Sequence, residues 1–136
     1  EMRTILPDDS IHFQLYPFVP NMHSLLGAAD VVVTRAGATV ILELAALAKP
    51  TVLIPNAKLT GGHQVKNAEV YEKAGAVSVI NEDEMMDNPN ILVDTIKRLM
   101  NNPEKMNEMA DNLSKFAKPN AARDVVDMIM DARKKK

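Results

Sequence analysis

The segment from Thr34 to Glu43 contains the residues whose types and spacing could do chemistry. An apolar run at 31–33 precedes it, and a second apolar run continues from 41 to 48. This pattern predicts a buried parallel strand, a tight turn at Gly37, and a helix whose first turn lies at the carboxyl end of that strand. In open α/β sheets such a junction binds anions through the free N–H groups and the dipole of the helix start.

A single acidic residue, Glu43, interrupts the apolar helix that follows the turn. It comes four residues after Thr39, so both side chains project from one helix face near its start. A carboxylate can accept hydrogen bonds from the two hydroxyls of a ribose, and the backbone at Gly37 with the Thr39 hydroxyl could hold a diphosphate. The alternative is an ordinary capped turn, with Glu43 at the solvent edge of a structural helix.

A second polar group begins the next predicted helix, which follows a Gly-Gly loop at the carboxyl end of another apolar strand. Gln64 and the N–H groups of this helix start could bind sugar hydroxyls, and Asn67 lies one turn further on. His63 could act as a base only with an orienting partner, and the sequence supplies none. A cap or a surface position is therefore the alternative for His63.

The elements that must position these residues alternate between strands and helices. Such alternation indicates βαβ units in a parallel sheet, and right-handed crossovers place helices on both faces. We expect an α/β fold, a Rossmann-like parallel sheet formed by one domain over residues 1–136. The strands are predicted near 11–16, 31–34, 51–55 and 76–80; the helices are predicted at 21–29, 38–48 and 63–73 and throughout a helical C-terminal part, 82–133.

Two helix ends carry recognisable cap signals. Asn21 is a plausible N-cap for the first helix. Gly75 is expected in the left-handed conformation that ends the helix over 63–73.

Composition and motifs exclude several classes of protein. A net charge of −2 without a basic, aromatic-rich stripe argues against nucleic acid binding. The chain has no cysteine, no metal-ligand spacing and no G-x-G-x-x-G fingerprint, which argues against a metal site and against NAD or FAD. No apolar run approaches the roughly 20 residues that span a bilayer. The basic end, Arg133–Lys136, is interpreted as a solvated helix end.

In order and spacing, several segments resemble the donor-binding domain of the MurG-type N-acetylglucosaminyltransferases, glycosyltransferase family 28. The resemblance covers about residues 11–120 and rests on the joint pattern rather than on any one motif. The segments are Phe18-Val19-Pro20-Asn21-Met22, Ala29-Asp30-Val31-Val32-Val33-Thr34-Arg35-Ala36-Gly37-Ala38, Glu43-Leu44-Ala45, Lys49-Pro50, Ile54-Pro55, His63-Gln64-Val65-Lys66-Asn67-Ala68 and Lys73-Ala74-Gly75-Ala76.

The resemblance implies a two-domain GT-B enzyme that transfers N-acetylglucosamine from UDP-N-acetylglucosamine to a lipid-linked acceptor, converting lipid I to lipid II in peptidoglycan synthesis. It implies an inverting reaction without a metal or cofactor, at the cytoplasmic side of the cell membrane, and no catalytic residue in this chain. By this analogy the backbone at Val19 contacts the uracil, and Glu43 binds the ribose. The diphosphate is contacted by Gly37, Ala38 and Thr39. The sugar is contacted by His63 and Gln64, and Asn67 supports the loop. Relatives often carry Gln-Gln where this chain has His63-Gln64, so the role of His63 is the least defined.

Two parts of the resembled enzyme have no counterpart in the chain: the acceptor domain and the opening strand and Gly-rich loop of the donor domain. We therefore expect a piece of the enzyme, or a reduced relative, that binds the donor weakly and does not transfer the sugar alone. In the strand order 3-2-1-4-5-6, residues 11–16 would be strand 3 and 31–34 strand 4. The strands between them are missing, so displacement of 11–16 or self-association through open sheet edges is expected.

Other interpretations remain open at this point. A UDP-N-acetylglucosamine 2-epimerase or a glycolipid glucosyltransferase would share the GT-B frame, although the epimerases tend to carry a Ser-Gly-Gly turn and paired glutamates. A non-catalytic UDP-sugar-binding partner subunit, or an α/β interaction domain without a ligand, would also fit parts of the pattern.

Overall fold

The computed structural model describes residues 14–57 and 62–134, and within them three short strands form one parallel sheet. Neighbouring strands pair in the order β1-β2-β3, with Val32 opposite Thr51 and Val52 opposite Ser78. The predicted parallel α/β class is confirmed. The strands are β1 (Val32–Thr34), β2 (Thr51–Leu53) and β3 (Ser78–Val79).

Helices connect these strands and make up the chain after β3. Each of the three strands is followed by a helix, so the starts of α2, α3 and α4 lie at the same carboxyl edge of the sheet. The helices in the described residues are α1 (Met22–Ala28), α2 (Ala38–Ala46), α3 (His63–Lys73), α4 (Glu82–Asp87), α5 (Asn90–Met100), α6 (Pro103–Ser114) and α7 (Ala121–Lys134).

Both faces of the sheet are buried. Leu53 packs in a cluster with Leu26 of α1 and Leu44 of α2, whereas its neighbour Val52 packs with Leu99 of α5. Successive side chains of a strand point to opposite faces. The two clusters therefore show that helices cover both faces, as the sequence predicted.

The two predicted caps have different outcomes. Gly75 has a φ of +65°, and its N–H donates to the carbonyl of Glu72 at 2.8 Å while the next N–H, of Ala76, donates to Tyr71 at 2.9 Å. This is a Schellman motif, and the predicted left-handed position is confirmed. Asn21 precedes α1 without a side-chain cap hydrogen bond, and only its carbonyl receives helix N–H groups. The predicted N-cap position of Asn21 is therefore confirmed, but its side chain makes no capping bond.

The first predicted strand does not form in the part of the chain that can be described. Residues 11–13 lie outside the described residues, and 14–16 belong to no strand. The prediction is wrong over 14–16, where the side chains of Leu15 and Tyr16 are exposed. A strand needs a hydrogen-bonded neighbour, and the strands that would lie between 11–16 and β1 are absent from the described sheet. β1 is left as an edge strand, and self-association through that edge stays a prediction.

Candidate functional site

The three helix starts at the carboxyl edge differ in how their N–H groups are satisfied. α2 begins after Gly37 and α3 after Gly62, and neither start has a side-chain cap or an acidic residue in its first turn, as far as the described residues show. At the start of α4 the Asn81 side chain accepts the N–H groups of Asp83 and Glu84, at 2.8 and 3.4 Å. The first turn of α4 also carries three carboxylates. An anion is therefore attracted to α2 and α3 and repelled from α4.

The first turn of α2 leaves backbone donors open. The Gly37 N–H donates to the Arg35 carbonyl at 2.9 Å, but the N–H groups of Ala38, Thr39 and Val40 have no acceptor within the described residues. These are the orphan donors of a helix start. They are the groups that an oxyanion would accept from.

Gly37 adopts a backbone conformation that any residue can take. Its φ of −75° and ψ of 133° are extended, and a Cβ built on it would lie 3.7 Å from Val40 Cγ1, an ordinary contact. The expected tight turn is present, since β1 ends at Thr34 and α2 begins at Ala38, but neither backbone strain nor internal packing requires glycine at position 37. What glycine does is leave the backbone at the start of α2 uncovered, as a closely approaching ligand needs.

One side of α2 borders an open groove of about 400 Å³. Ala38, Thr39 and Glu43 line it from α2, so the structure brings together three of the residues that the sequence singled out. Both Thr39 and Glu43 are exposed. The opposite wall comes from the connection between α6 and α7, where Lys118 and other residues line the groove.

The start of α3 is tied to the neighbouring loops by two amide side chains. Gln64 Oε1 accepts the N–H of Asn56, in the loop after β2, at 3.0 Å. Asn67 Nδ2 donates to the carbonyl of Ala36, in the turn before α2, at 3.5 Å. The Gln64 bond joins the α3 start to the loop after β2, and the Asn67 bond joins α3 to the turn before α2. His63, the first residue of α3, is exposed.

Val19 is half-buried in the segment before α1 and does not line the α2 groove. His63, Gln64 and Asn67 also lie outside the groove lining. The structure therefore groups Ala38, Thr39 and Glu43 in one groove and links only Asn67 of the α3 residues to the turn before α2.

Sequence reasoning gave Arg35 no role, although it follows β1 directly. Its guanidinium donates to the Ile54 carbonyl at 3.3 Å and lies 2.5 Å from Glu82 Oε1. Arg35 thus joins the carboxyl ends of β1 and β2 to the first turn of α4. A lone cation directly after a buried strand is the signal that could have identified it.

A second cavity at the same edge, of about 190 Å³, lies between α3 and α4. Four carboxylates line it, from Glu69, Glu72, Glu82 and Asp83. Such a lining disfavours the binding of a diphosphate, because the carboxylates repel its negative charge. Across residues 14–57 and 62–134, no group of three or more His, Cys, Asp or Glu side chains is placed to hold a metal ion, and no helix is long and apolar enough to cross a membrane.

Comparison with known proteins decides the family. Residues 1–125 match the family described as glycosyltransferase family 28 C-terminal domain. The chain belongs to this family. The resemblance identified from the sequence motifs is confirmed.

Curated relatives and a solved structure agree with this assignment of the family 28 domain. This chain is similar to two relatives that share the name UDP-N-acetylglucosamine--N-acetylmuramyl-(pentapeptide) pyrophosphoryl-undecaprenol N-acetylglucosamine transferase. The one from Listeria monocytogenes serotype 4a is 37% identical over 90% of this chain and 33% of its own length. The one from Acetivibrio thermocellus is 36% identical over 99% of this chain and 36% of its own length.

The crystal structure of Acinetobacter baumannii MurG superposes with a TM-score of 0.76 at 31% identity, over 87% of this chain and 33% of that chain. The chain thus spans about a third of the length of these proteins. The three-stranded sheet and its helices match the Rossmann-like GT-B domain that the resemblance implied.

Proposed function

We propose that this chain is the donor-binding part of an inverting, metal-independent N-acetylglucosaminyltransferase of peptidoglycan synthesis. The donor is UDP-N-acetylglucosamine, and the whole enzyme converts lipid I to lipid II. The observation that carries the proposal is the start of α2, where N–H groups without an acceptor in the described residues lie beside a groove lined by Ala38, Thr39 and Glu43. The family membership and the names of the relatives support the choice of donor and reaction.

The diphosphate binds at the first turn of α2. Its oxygens accept hydrogen bonds from the N–H groups of Ala38 and Thr39 and from the Thr39 hydroxyl, at the positive end of the helix dipole. During transfer the UDP leaving group gains negative charge, and donors already aimed at that charge stabilise the transition state. This chain contributes leaving-group stabilisation, and the group that activates the acceptor belongs to another part of the enzyme.

The ribose binds to Glu43. This carboxylate lies one helical turn beyond Thr39 on the same groove wall, so a nucleotide whose phosphates lie at the start of α2 places its ribose further along the helix. A carboxylate that accepts from two hydroxyls favours a ribonucleoside. The uracil contacts the backbone near Val19, outside the groove lining.

The sugar lies towards the start of α3. Gln64 uses its side-chain oxygen on the Asn56 N–H, so its NH2 group is what remains to offer a ligand. That group binds an acceptor, such as a sugar hydroxyl oxygen or the carbonyl oxygen of an acetamido group. His63 is exposed at the same helix start and contacts the sugar, while Asn67 holds the turn through Ala36.

The lipid-linked acceptor binds through a part of the enzyme outside this chain. The acceptor stays in the membrane, so the enzyme works as a peripheral protein at the cytoplasmic face. This chain alone binds the donor without transferring the sugar.

Calorimetric titration of the folded chain with UDP-N-acetylglucosamine, UDP-glucose and NAD tests the proposed function. We expect heat from the two UDP-sugars, with tighter binding of UDP-N-acetylglucosamine, and none from NAD. Equal affinity for both UDP-sugars would contradict the assignment of the sugar contacts and favour a glucosyltransferase. Absence of binding by either UDP-sugar would contradict the donor-binding function itself.

A further inference from the structure

The α2 groove contains a cation that the donor-binding proposal has not used. Lys118, in the connection between α6 and α7, lines the groove wall opposite α2. It is exposed, and no carboxylate of the described residues pairs with it. Three other cations do pair with a carboxylate: Arg35 with Glu82, Lys73 with Glu69, and Lys105 with Glu108. Lys66 and Lys97, like Lys118, have no carboxylate partner among the described residues.

The backbone that carries Lys118 is anchored. Phe116 and Ala117 pack against the core cluster that contains Leu44, and the Phe116 ring meets the Tyr71 ring of α3 edge-on at 4.7 Å. On the other side the Lys118 carbonyl accepts the N–H of Ala121, the first residue of α7, at 3.1 Å. Pro119 further restricts the backbone of the residue before it. The ammonium therefore extends from a fixed point beside the groove.

The charge balance of the groove shows what this cation does. Of the described residues that line the groove, only Glu43 and Lys118 are charged. The helix start contributes about +0.5 of an elementary charge, so Glu43 and the helix start alone sum to about −0.5. With Lys118 the sum becomes about +0.5. Lys118 therefore offsets the repulsion between the Glu43 carboxylate and a diphosphate that binds at the start of α2.

We propose that Lys118 is a further donor-binding residue, whose ammonium pairs with the diphosphate of a nucleotide sugar that lies between α2 and the α6–α7 connection. This inference rests on the proposed function and adds a phosphate contact from the opposite wall. Lysine binds phosphate as a point charge on a flexible stem, so it can follow the diphosphate as the sugar leaves. The carboxylate and the ammonium then have separate ligand groups, with Glu43 on the ribose and Lys118 on the phosphates.

The test compares Lys118→Gln and Lys118→Arg with Lys97→Gln. The control changes the same charge on an exposed residue of α5, outside the groove. Affinity for UDP and UDP-N-acetylglucosamine is measured by calorimetry, and affinity for uridine by NMR titration. We expect Lys118→Gln to weaken both phosphate ligands roughly threefold to tenfold. Lys118→Arg should retain most of the affinity, Lys97→Gln should behave as the unmodified chain, and uridine binding should not change.

A second measurement follows the affinity for UDP as salt is raised. If Lys118 contacts a phosphate, the dependence on ionic strength becomes weaker in Lys118→Gln than in Lys97→Gln, because a screened ion pair has been removed. Equal affinities for UDP in these two variants would overturn the inference, as would an equal loss for uridine and UDP. If the unmodified chain binds neither UDP nor UDP-N-acetylglucosamine, the proposed function itself is contradicted. If the unmodified chain binds them and the Lys118 variant binds them equally well, only the role of Lys118 is contradicted.

Discussion

Helices α2 and α4 both start at the carboxyl edge of one parallel sheet, yet they treat their first turns in opposite ways. α4 is capped by Asn81 and neutralised by its own carboxylates, whereas the first N–H groups of α2 have no acceptor in the described residues. The backbone supplies the same partial charge at both starts. The difference therefore lies in the side chains, and it determines which start remains available to an anionic ligand.

The surroundings of the two starts extend the same contrast. The cavity beside α4 is lined by four carboxylates, while the α2 groove holds one carboxylate and one ammonium. Arg35 lies between the two regions, and its guanidinium bonds Glu82 of α4. One edge of the sheet is thus divided into a part that repels phosphate and a part that attracts it.

The two helices also differ in how firmly they are anchored, and the largest expected effect follows from this. Leu44 of α2 is fully buried, whereas α4 has no buried residue. Leu44→Ala should lower the free energy of unfolding by about 3 kcal/mol, because it removes buried apolar surface and leaves a cavity. The matched change in α4, Met86→Ala, removes an exposed side chain and should cost less than about 0.5 kcal/mol. Chemical denaturation of both variants measures this difference, and similar losses would mean that α2 is no better anchored than α4.

The second prediction concerns the acid in each helix. Glu43→Ala should weaken UDP binding by about 1.5–3 kcal/mol if the carboxylate accepts bonds from the ribose, while the fold stays intact. The matched change, Glu84→Ala in α4, should leave UDP affinity unaltered. Calorimetry gives both affinities, and thermal unfolding checks that each variant is folded. An unchanged affinity in Glu43→Ala would reject the ribose assignment.

Making α2 resemble α4 gives the third prediction. Thr39→Glu places a carboxylate in the first turn of α2, where it satisfies the helix dipole as the acids of α4 do. UDP affinity should fall roughly tenfold through repulsion of the phosphates, while the thermal midpoint stays the same or rises slightly. Thr39→Gln is the control of similar size without charge, and titration of both variants with UDP compares them. Equal affinities in the two variants would place the diphosphate elsewhere.

Some parts of the fold were predictable because their signals are local. The helix from His63 to Lys73 was predicted with its observed bounds, since Gly75 stops it by a motif written within a few residues. The strand predicted at 11–16 shows the limit, because its alternating pattern is local but its hydrogen-bonded partner is not. Over 14–16 the polypeptide forms no strand beside β1.

The residues of the candidate site likewise divide into those that a local sequence pattern predicts and those that depend on distant parts of the chain. The grouping of Thr39 and Glu43 followed from helical spacing alone, and the groove shows them on one wall. The pairing of Arg35 with Glu82 and the presence of Lys118 in the same groove as Glu43 depend on residues far apart in the sequence. Their proximity is produced by packing of the sheet and helices, which no local pattern encodes.

The smallest expected effect tests whether the cap of α4 is structural only. Asn81→Ala removes the side-chain oxygen that accepts the N–H groups of Asp83 and Glu84, so the free energy of unfolding should fall by about 1 kcal/mol. UDP affinity should not change, because the carboxylates of α4 still repel phosphate after the cap is lost. Asn81→Ser, which keeps a capping oxygen, should recover most of the stability. If Asn81→Ala instead gained UDP affinity, capping itself would be what closes α4 to anions, and the contrast between the helix starts would rest on hydrogen bonding rather than on charge.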